Sequence, residues 1–155
     1  MVAKVFKPVS EIIDNYSGLA RKVLDYSVTV KGLADECKKP GFQNEKWDEL
    51  FTQFFDKENF LRVGHLKEEM DYETYIEFQT KWAPMSHWEC SFKRLTEQDN
   101  VVFLELEERA TVQGYTNVVN TLSVYEFNDA GKIKFIDVYL QQLPQPTEEV
   151  PEAYK

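Results

Sequence analysis

Three strand-like runs in residues 100–142 constrain the fold more than any other part of this chain. They are joined by Gln113-Gly114 and by the four residues 128–131 (Asn-Asp-Ala-Gly), and short connections of this composition are typical of antiparallel hairpins. If Gln113-Gly114 is a two-residue hairpin tip, the register of the first two strands follows from it. The predicted opposite pairs are Glu108 with Val119, Leu106 with Thr121, Leu104 with Ser123, and Val102 with Tyr125.

One charged residue interrupts the apolar face of this predicted sheet. Side chains alternate between the two faces of a strand, so Glu108 shares a face with Leu104 and Leu106. A four-residue loop at 128–131 would extend that face with Ile136 beside Ser123, Val138 beside Thr121, and Leu140 beside Val119. The resulting surface combines apolar side chains with one carboxylate, two hydroxyls and a phenol. This mixture is expected in the wall of a small-molecule pocket.

Helical patterns occupy most of the chain before residue 85. The first predicted helix carries an apolar stripe at alternating steps of four and three: Ile12, Tyr16, Leu19, Val23, Tyr26, Val30, Leu33 and Cys37. This spacing is also compatible with a coiled coil, although Gly18 and Gly32 favour packing on a sheet. A second helix follows Asn44 as its N-cap. A third begins at Asp71 and must stop before Pro84.

The predicted elements form an α+β fold in which three helices pack on the concave face of a strongly curved antiparallel sheet. A short strand is expected at 59–63, and a longer one, running to about Thr96, places Trp88, Cys90 and Phe92 inward. Residues 1–142 are predicted to form a single domain. Residues 143–155 contain three prolines and several acids, so they are predicted to form a disordered tail.

Composition opposes several classes of function. The formal net charge is −9, and because phosphate binding needs clustered basic residues, we predict no nucleic-acid partner and no anionic membrane partner. No apolar stretch approaches the ~20 residues of a membrane span. Cys37 and Cys90 lack metal-binding or redox spacing, which favours reduced thiols and a cytoplasmic location. The sequence has no Gly-rich phosphate loop and no histidine pair at ligand spacing, so we expect neither a cofactor nor a metal.

Two segments resemble the NTF2-like superfamily, the cone-shaped fold of ketosteroid isomerase and the SnoaL-like polyketide cyclases. Residues 47–60 (Trp-Asp-Glu-Leu-Phe-Thr-Gln-Phe-Phe-Asp-Lys-Glu-Asn-Phe) are similar to its second helix and following turn, and residues 124–133 (Val-Tyr-Glu-Phe-Asn-Asp-Ala-Gly-Lys-Ile) to its final hairpin. The resemblance covers about residues 10–142. It implies a homodimer and a small-molecule pocket but says little about chemistry.

The acids used by these relatives are mostly missing here. The resemblance places the strand acid of the isomerases and cyclases on Ser123 and the isomerase base near Val63. The last-strand acid of the epoxide hydrolases falls near Val138, with Asp137 on the opposite face. None of those mechanisms transfers intact, and this chain carries Glu108 and His65 instead.

Glu108 and His65 are the predicted catalytic residues. A carboxylate on an apolar face is costly to bury without a role and could act as a general acid or base. Alternatively, Glu108 sits at the cavity mouth, pairs with Arg94, or is turned outward by a bulge. His65 follows Gly64 and could shuttle protons, although a loop histidine is more often merely exposed. The predicted substrate-binding residues are Ser123, Tyr125, Thr121, Trp88, Tyr72, Phe54, Leu106, Ile136 and Val138.

These residues predict a protein that binds an apolar small molecule carrying a carbonyl or hydroxyl group, as a cofactor-independent isomerase, lyase or cyclase. A Ser, His and Glu hydrolase triad is not supported, because no nucleophile elbow is present. The alternative is a non-catalytic ligand carrier or dimerising scaffold. The opposite sheet face predicts a homodimer interface through Phe103, Leu122, Val124, Phe135 and Tyr139, although a solvated face with scattered apolar residues is also possible.

Overall fold

A computed structural model of the protein describes residues 7–143. The helices are α1 (Val9–Ile12), α2 (Gly18–Glu36), α3 (Glu45–Phe54) and α4 (Tyr72–Trp82), and the strands are β1 (Leu61–Val63), β2 (Glu69–Asp71), β3 (Ser86–Gln98), β4 (Val101–Val112), β5 (Tyr115–Phe127) and β6 (Ile133–Gln142). The six strands form one sheet in the order β2-β1-β6-β5-β4-β3. The predicted α+β fold is confirmed. Three details differ: a fourth, short helix forms before α2, β2 is an additional strand between β1 and α4, and β1 runs parallel to β6.

The first predicted helix is interrupted near its start. Helix α1 ends at Ile12 and is followed by one tight turn at Ile13–Asn15, and α2 begins only at Gly18. Gly18 has a φ of +64°, a left-handed conformation that other residues adopt with difficulty. The backbone N–H of Ala20 then donates to the Glu97 carboxylate of β3 at 2.8 Å. The N-terminus of α2 is therefore capped by a side chain that lies 77 residues away in the sequence. No local sequence pattern predicts this contact.

The other two predicted helices have the expected boundaries. Asn44 precedes α3, although its side chain makes no capping hydrogen bond there. Asp71 caps α4 by accepting from the backbone N–H of Thr74 at 2.9 Å. Helix α4 ends at Trp82, just before Pro84.

The predicted register of β4 and β5 is confirmed at every pair, including Glu108 with Val119 and Leu106 with Thr121. Gln113 and Gly114 have φ values of +51° and +81°. Two successive positive φ angles belong to the type I′ turn, whose twist matches that of its flanking strands. The two turn residues therefore determine the β4–β5 register that the sequence predicted.

The predicted neighbours on β6 are wrong by two residues. Ser123 pairs with Val138 and Thr121 with Leu140, whereas a four-residue loop would have paired them with Ile136 and Val138. Two one-residue additions cause the shift. Phe127 pairs with Ile133, so the loop is one residue longer, and the register changes again beyond Glu126. Because two is the period of a strand, the inward face of β6 is still the predicted one.

The core lies between the concave sheet face and α2, α3 and α4. Val23, Leu24, Trp47 and Phe51 are fully buried against Leu104 of β4. No helix among residues 7–143 is long and apolar enough to cross a membrane. Apart from Leu143, the predicted tail lies outside the described residues.

Candidate functional site

A cavity of about 280 Å³ separates α2 and α4 from the concave face of β4, β5 and β6. Its volume is close to the ~300 Å³ lower end of small-molecule sites. Nine of the eleven predicted site residues line it: Glu108, His65, Ser123, Tyr125, Thr121, Trp88, Leu106, Ile136 and Val138. The strand face deduced from the sequence therefore contributes to the lining of this cavity.

Glu108 is half-buried in this wall, and both of its carboxylate oxygens accept hydrogen bonds. The indole Nε1 of Trp88 donates to Oε2 at 2.7 Å, and the hydroxyl of Thr121 donates to Oε1 at 2.6 Å. The alternative pairing with Arg94 is wrong, because Arg94 forms a bidentate ion pair with Glu105 on the outer face. The alternative of a bulge that turns Glu108 outward is also wrong, since the β4–β5 register is regular.

A second group of polar side chains faces the same cavity. The hydroxyls of Tyr26 and Tyr75 lie 3.2 Å apart, and the Gln79 amide donates to the Tyr75 hydroxyl at 3.1 Å. Burial raises the pKa of Tyr26 and of Tyr125 well above the usual range, with a smaller contribution from Tyr75. Both phenols therefore stay protonated and able to donate hydrogen bonds. The sequence analysis placed Tyr26 in an apolar helical stripe and did not predict that it lines the cavity. The polar Gln79, on an otherwise apolar helix face, is the sequence feature that could have indicated this group of hydroxyls.

Arg62 brings a positive charge to the cavity, and the sequence analysis missed it. It lies on β1 and lines the cavity together with Tyr75, and its guanidinium carbon is 5.3 Å from the centre of the Tyr75 ring. Its nearest acid is Glu68, with 3.8 Å between Nη1 and Oε1. Strand β1 has three residues, which is too short for the alternation that would show an inward side chain.

Two of the predicted substrate-binding residues lie outside the lining. The hydroxyl of Tyr72 donates to the partly exposed Asp48 carboxylate of α3 at 2.9 Å, and burial raises the pKa of Tyr72 to about 12. Phe54 packs edge-on against Tyr26, with 5.6 Å between ring centres. Both face the inter-helix core, because the cavity opens between α2 and α4 and not beside α3. His65 is exposed in the turn after β1 and lies at the rim.

The outer face of the sheet is partly apolar. Phe103, Val118 and Tyr139 are 36%, 46% and 52% exposed. Charged pairs run between these residues, including Arg94 with Glu105 and Arg109 with Glu107. Among residues 7–143, no three His, Cys, Asp or Glu side chains come together in a metal-binding arrangement.

The fold matches many solved structures. A provisionally assigned ketosteroid isomerase from Kribbella flavida superposes with a TM-score of 0.60 and 14% identity, over 86% of this chain and 90% of that one. The chain has the NTF2-like fold. Two further similar structures are a provisionally assigned SnoaL-like polyketide cyclase from a Jannaschia species (TM-score 0.57, 11% identity, 81% and 90% coverage) and an NTF2-like protein of unknown function from Cytophaga hutchinsonii (TM-score 0.54, 16% identity, 81% and 92% coverage). No family model and no curated protein matches the sequence.

Proposed function

We propose that the cavity binds a small, mostly apolar molecule with a carbonyl or hydroxyl group, and that Glu108 acts on it as a general acid or base. The orientation of the Glu108 carboxylate by Trp88 and Thr121 is the observation that carries this proposal. Each carboxylate oxygen has a further lone pair after accepting one hydrogen bond, so Glu108 can still accept a proton from a ligand. A fixed base of this kind suits a cofactor-independent isomerase, lyase or cyclase.

An isomerisation shows how these groups would work together. Glu108 removes a proton from the carbon next to a ligand carbonyl, the C–H electron pair forms a carbon–carbon double bond, and the carbonyl pair moves onto oxygen. The protonated phenol of Tyr125 donates a hydrogen bond to that oxygen. In a ligand with a carbon–carbon double bond next to the deprotonated carbon, the enolate is a conjugated dienolate, and Glu108 returns the proton to the far carbon of that double bond. The electron pair on oxygen re-forms the carbonyl, and the carbon–carbon double bond moves into conjugation with it. His65 at the rim would exchange protons with solvent, as the sequence predicts.

The alternative function is a non-catalytic carrier. Glu108 is the only carboxylate in the cavity lining among residues 7–143. A reaction that needs a separate acid and base would therefore rely on exposed His65 or on solvent. A carrier needs only the apolar walls and the oriented polar groups.

A proton-exchange assay tests the catalytic proposal without knowledge of the natural substrate. The bicyclic ketone 2-tetralone is incubated in D2O with the protein, and NMR follows deuterium incorporation next to its carbonyl. We expect exchange faster than in buffer, and its loss in Glu108→Gln. Glu107→Gln is the matched control, since Glu107 is the preceding residue of β4 and pairs with Arg109 on the outer face. Equal exchange in both variants would overturn the role of Glu108, and ketone binding without exchange would favour the carrier.

We further propose that the outer face forms a homodimer. Exposed Phe103, Val118 and Tyr139 support it, since large apolar side chains on one open sheet face favour a partner. Light scattering at micromolar concentration should give twice the chain mass, and Phe103→Lys should reduce it to one chain. A monomer mass for the unaltered protein would refute the proposal. A cytoplasmic location stays a prediction from the free Cys37 and Cys90.

A further inference from the structure

We infer that the ligand of this cavity carries a carboxylate, and that Arg62 binds it. This inference rests on the proposed function, because it names the chemical class of the molecule in the same cavity. The starting observation is that Arg62 lines the cavity and that one nitrogen of its guanidinium, Nη1, has no hydrogen-bond partner among residues 7–143.

The side chain of Arg62 is only 15% exposed. Its Nη1 is buried and has no hydrogen-bond partner among residues 7–143. The separation of 3.8 Å from Glu68 is too long for a hydrogen bond. A buried donor on a charged group is costly to leave unpaired. Because Nη1 is covered in this structure, a ligand acceptor reaches it once Glu68, 3.8 Å away, moves aside. Such a ligand would then gain more from this donor than from an already satisfied arginine.

The geometry favours a planar monoanion. The Tyr75 ring lies against the guanidinium of Arg62, which restricts the plane in which its N–H groups point. A carboxylate accepts two parallel hydrogen bonds from such a fork. The cavity lining also contains Glu108, so a doubly charged phosphate would meet more repulsion than a singly charged carboxylate.

Glu68 is the resident competitor for Arg62. Its other oxygen accepts from the backbone N–H of Leu66 at 2.9 Å, an exposed hydrogen bond that water can replace. Its side chain is 36% exposed, so an incoming carboxylate can displace it toward solvent. Removing the charge of Glu68 should therefore strengthen ligand binding, whereas removing the charge of Arg62 should weaken it.

The remaining lining suits an aromatic or alicyclic body. Phe78 and Trp82 of α4 and Val138 and Leu140 of β6 also line the cavity. The carboxylate would sit at the β1 end, and the body would extend toward Glu108. The inferred ligand is thus a compact cyclic monocarboxylate.

Calorimetry with two isosteric probes, 2-naphthoate and 2-naphthamide, tests this inference. We expect the unaltered protein to bind the acid at least about tenfold more tightly than the amide, which corresponds to about 1.4 kcal/mol. Arg62→Gln should abolish that preference, because it weakens binding of the charged acid more than binding of the neutral amide. Arg62→Lys should restore part of it, because lysine keeps the charge but not the fork. Glu68→Gln should tighten acid binding about two- to fivefold, since it removes one nearby like charge.

Arg94→Gln is the matched control, because it removes the same charge from the outer face, where Arg94 is 75% exposed. It should leave both affinities unchanged. Equal affinity for acid and amide would overturn the carboxylate assignment while leaving a binding cavity in place. Tighter binding of 2-naphthyl phosphate than of the acid would replace carboxylate by phosphate. Failure of both probes to bind would count against the inference and the proposed function together.

Discussion

Thr121→Val should destabilise the protein by removing one of the two hydrogen bonds that hold Glu108. Thr121 is 6% exposed, and its hydroxyl donates to Glu108 Oε1 at 2.6 Å. Valine has nearly the same shape, so the substitution creates no cavity and isolates the polar contribution. The carboxylate oxygen would then face an apolar methyl group in place of its donor.

A hydrogen bond to a charged partner contributes about 1.5–3 kcal/mol to stability. Glu108 is half-buried, so water can replace part of the lost interaction and the lower half of that range applies. A loss of about 1.5–2 kcal/mol lowers the melting temperature of a domain of this size by roughly 3–8 °C. Urea denaturation and thermal melting followed by circular dichroism measure both quantities.

A double-mutant cycle separates this hydrogen bond from other effects of the substitution. In a Glu108→Leu background the Thr121 hydroxyl has no acceptor, so Thr121→Val should be neutral or stabilising there. Thr121→Ser, which keeps the hydroxyl, should retain most of the coupling with Glu108. If Thr121→Val destabilises both backgrounds equally, Thr121 does not hold Glu108 and the oriented carboxylate loses its support.

Three other substitutions test other parts of the structure. Glu97→Ala removes the acceptor of the Ala20 N–H and should lower the free energy of unfolding by about 0.5–2 kcal/mol in urea; no change would mean that water caps α2 equally well. Tyr26 has a folded pKa well above its unfolded value of 10.0, mainly through burial. Its contribution to stability is therefore complete below pH 10 and decreases as the pH rises above it. Tyr26→Phe should flatten the decrease in unfolding free energy from pH 10 upward, and an equally steep decrease would contradict this assignment. Lys132 donates to the carbonyls of Thr52 and Gln53 at the end of α3. Lys132→Met should cost roughly 0.3–1 kcal/mol in thermal melting, and unaltered stability would show that the helix end does not need the charge.

The parts of the fold that local chemistry determines were predictable. Gln113-Gly114 requires a two-residue turn, and from that turn every β4–β5 pair follows, including the inward position of Glu108. The helix that starts after Asp71 was also predictable, because the Asp71 carboxylate accepts from the backbone N–H of Thr74, only three residues later.

The parts that depend on distant partners were not predictable. Trp88 was expected to face inward, but nothing in the sequence indicated that its indole would bind Glu108, which lies 20 residues away. Arg62 sits on a strand too short to show a pattern, and its neighbour β6 comes more than 70 residues later. The cavity wall could thus be deduced from strand alternation, whereas the charge at its β1 end could not.

The two single-residue additions around the β5–β6 loop carry a consequence for how this chain tolerates insertions and deletions. One addition lengthens the loop and the other shifts the register beyond Glu126, and together they keep Ile136 and Val138 facing the helices. Removing one residue from 128–132 would turn the inward residues of β6 toward solvent, unless the β5–β6 pairing shifts by one residue elsewhere. Removing two would preserve the face and change only which pairs meet. Insertions and deletions in this hairpin should therefore change its length by an even number of residues. What is constrained is whether the number of residues in the segment is even or odd, and not the identity of any one side chain.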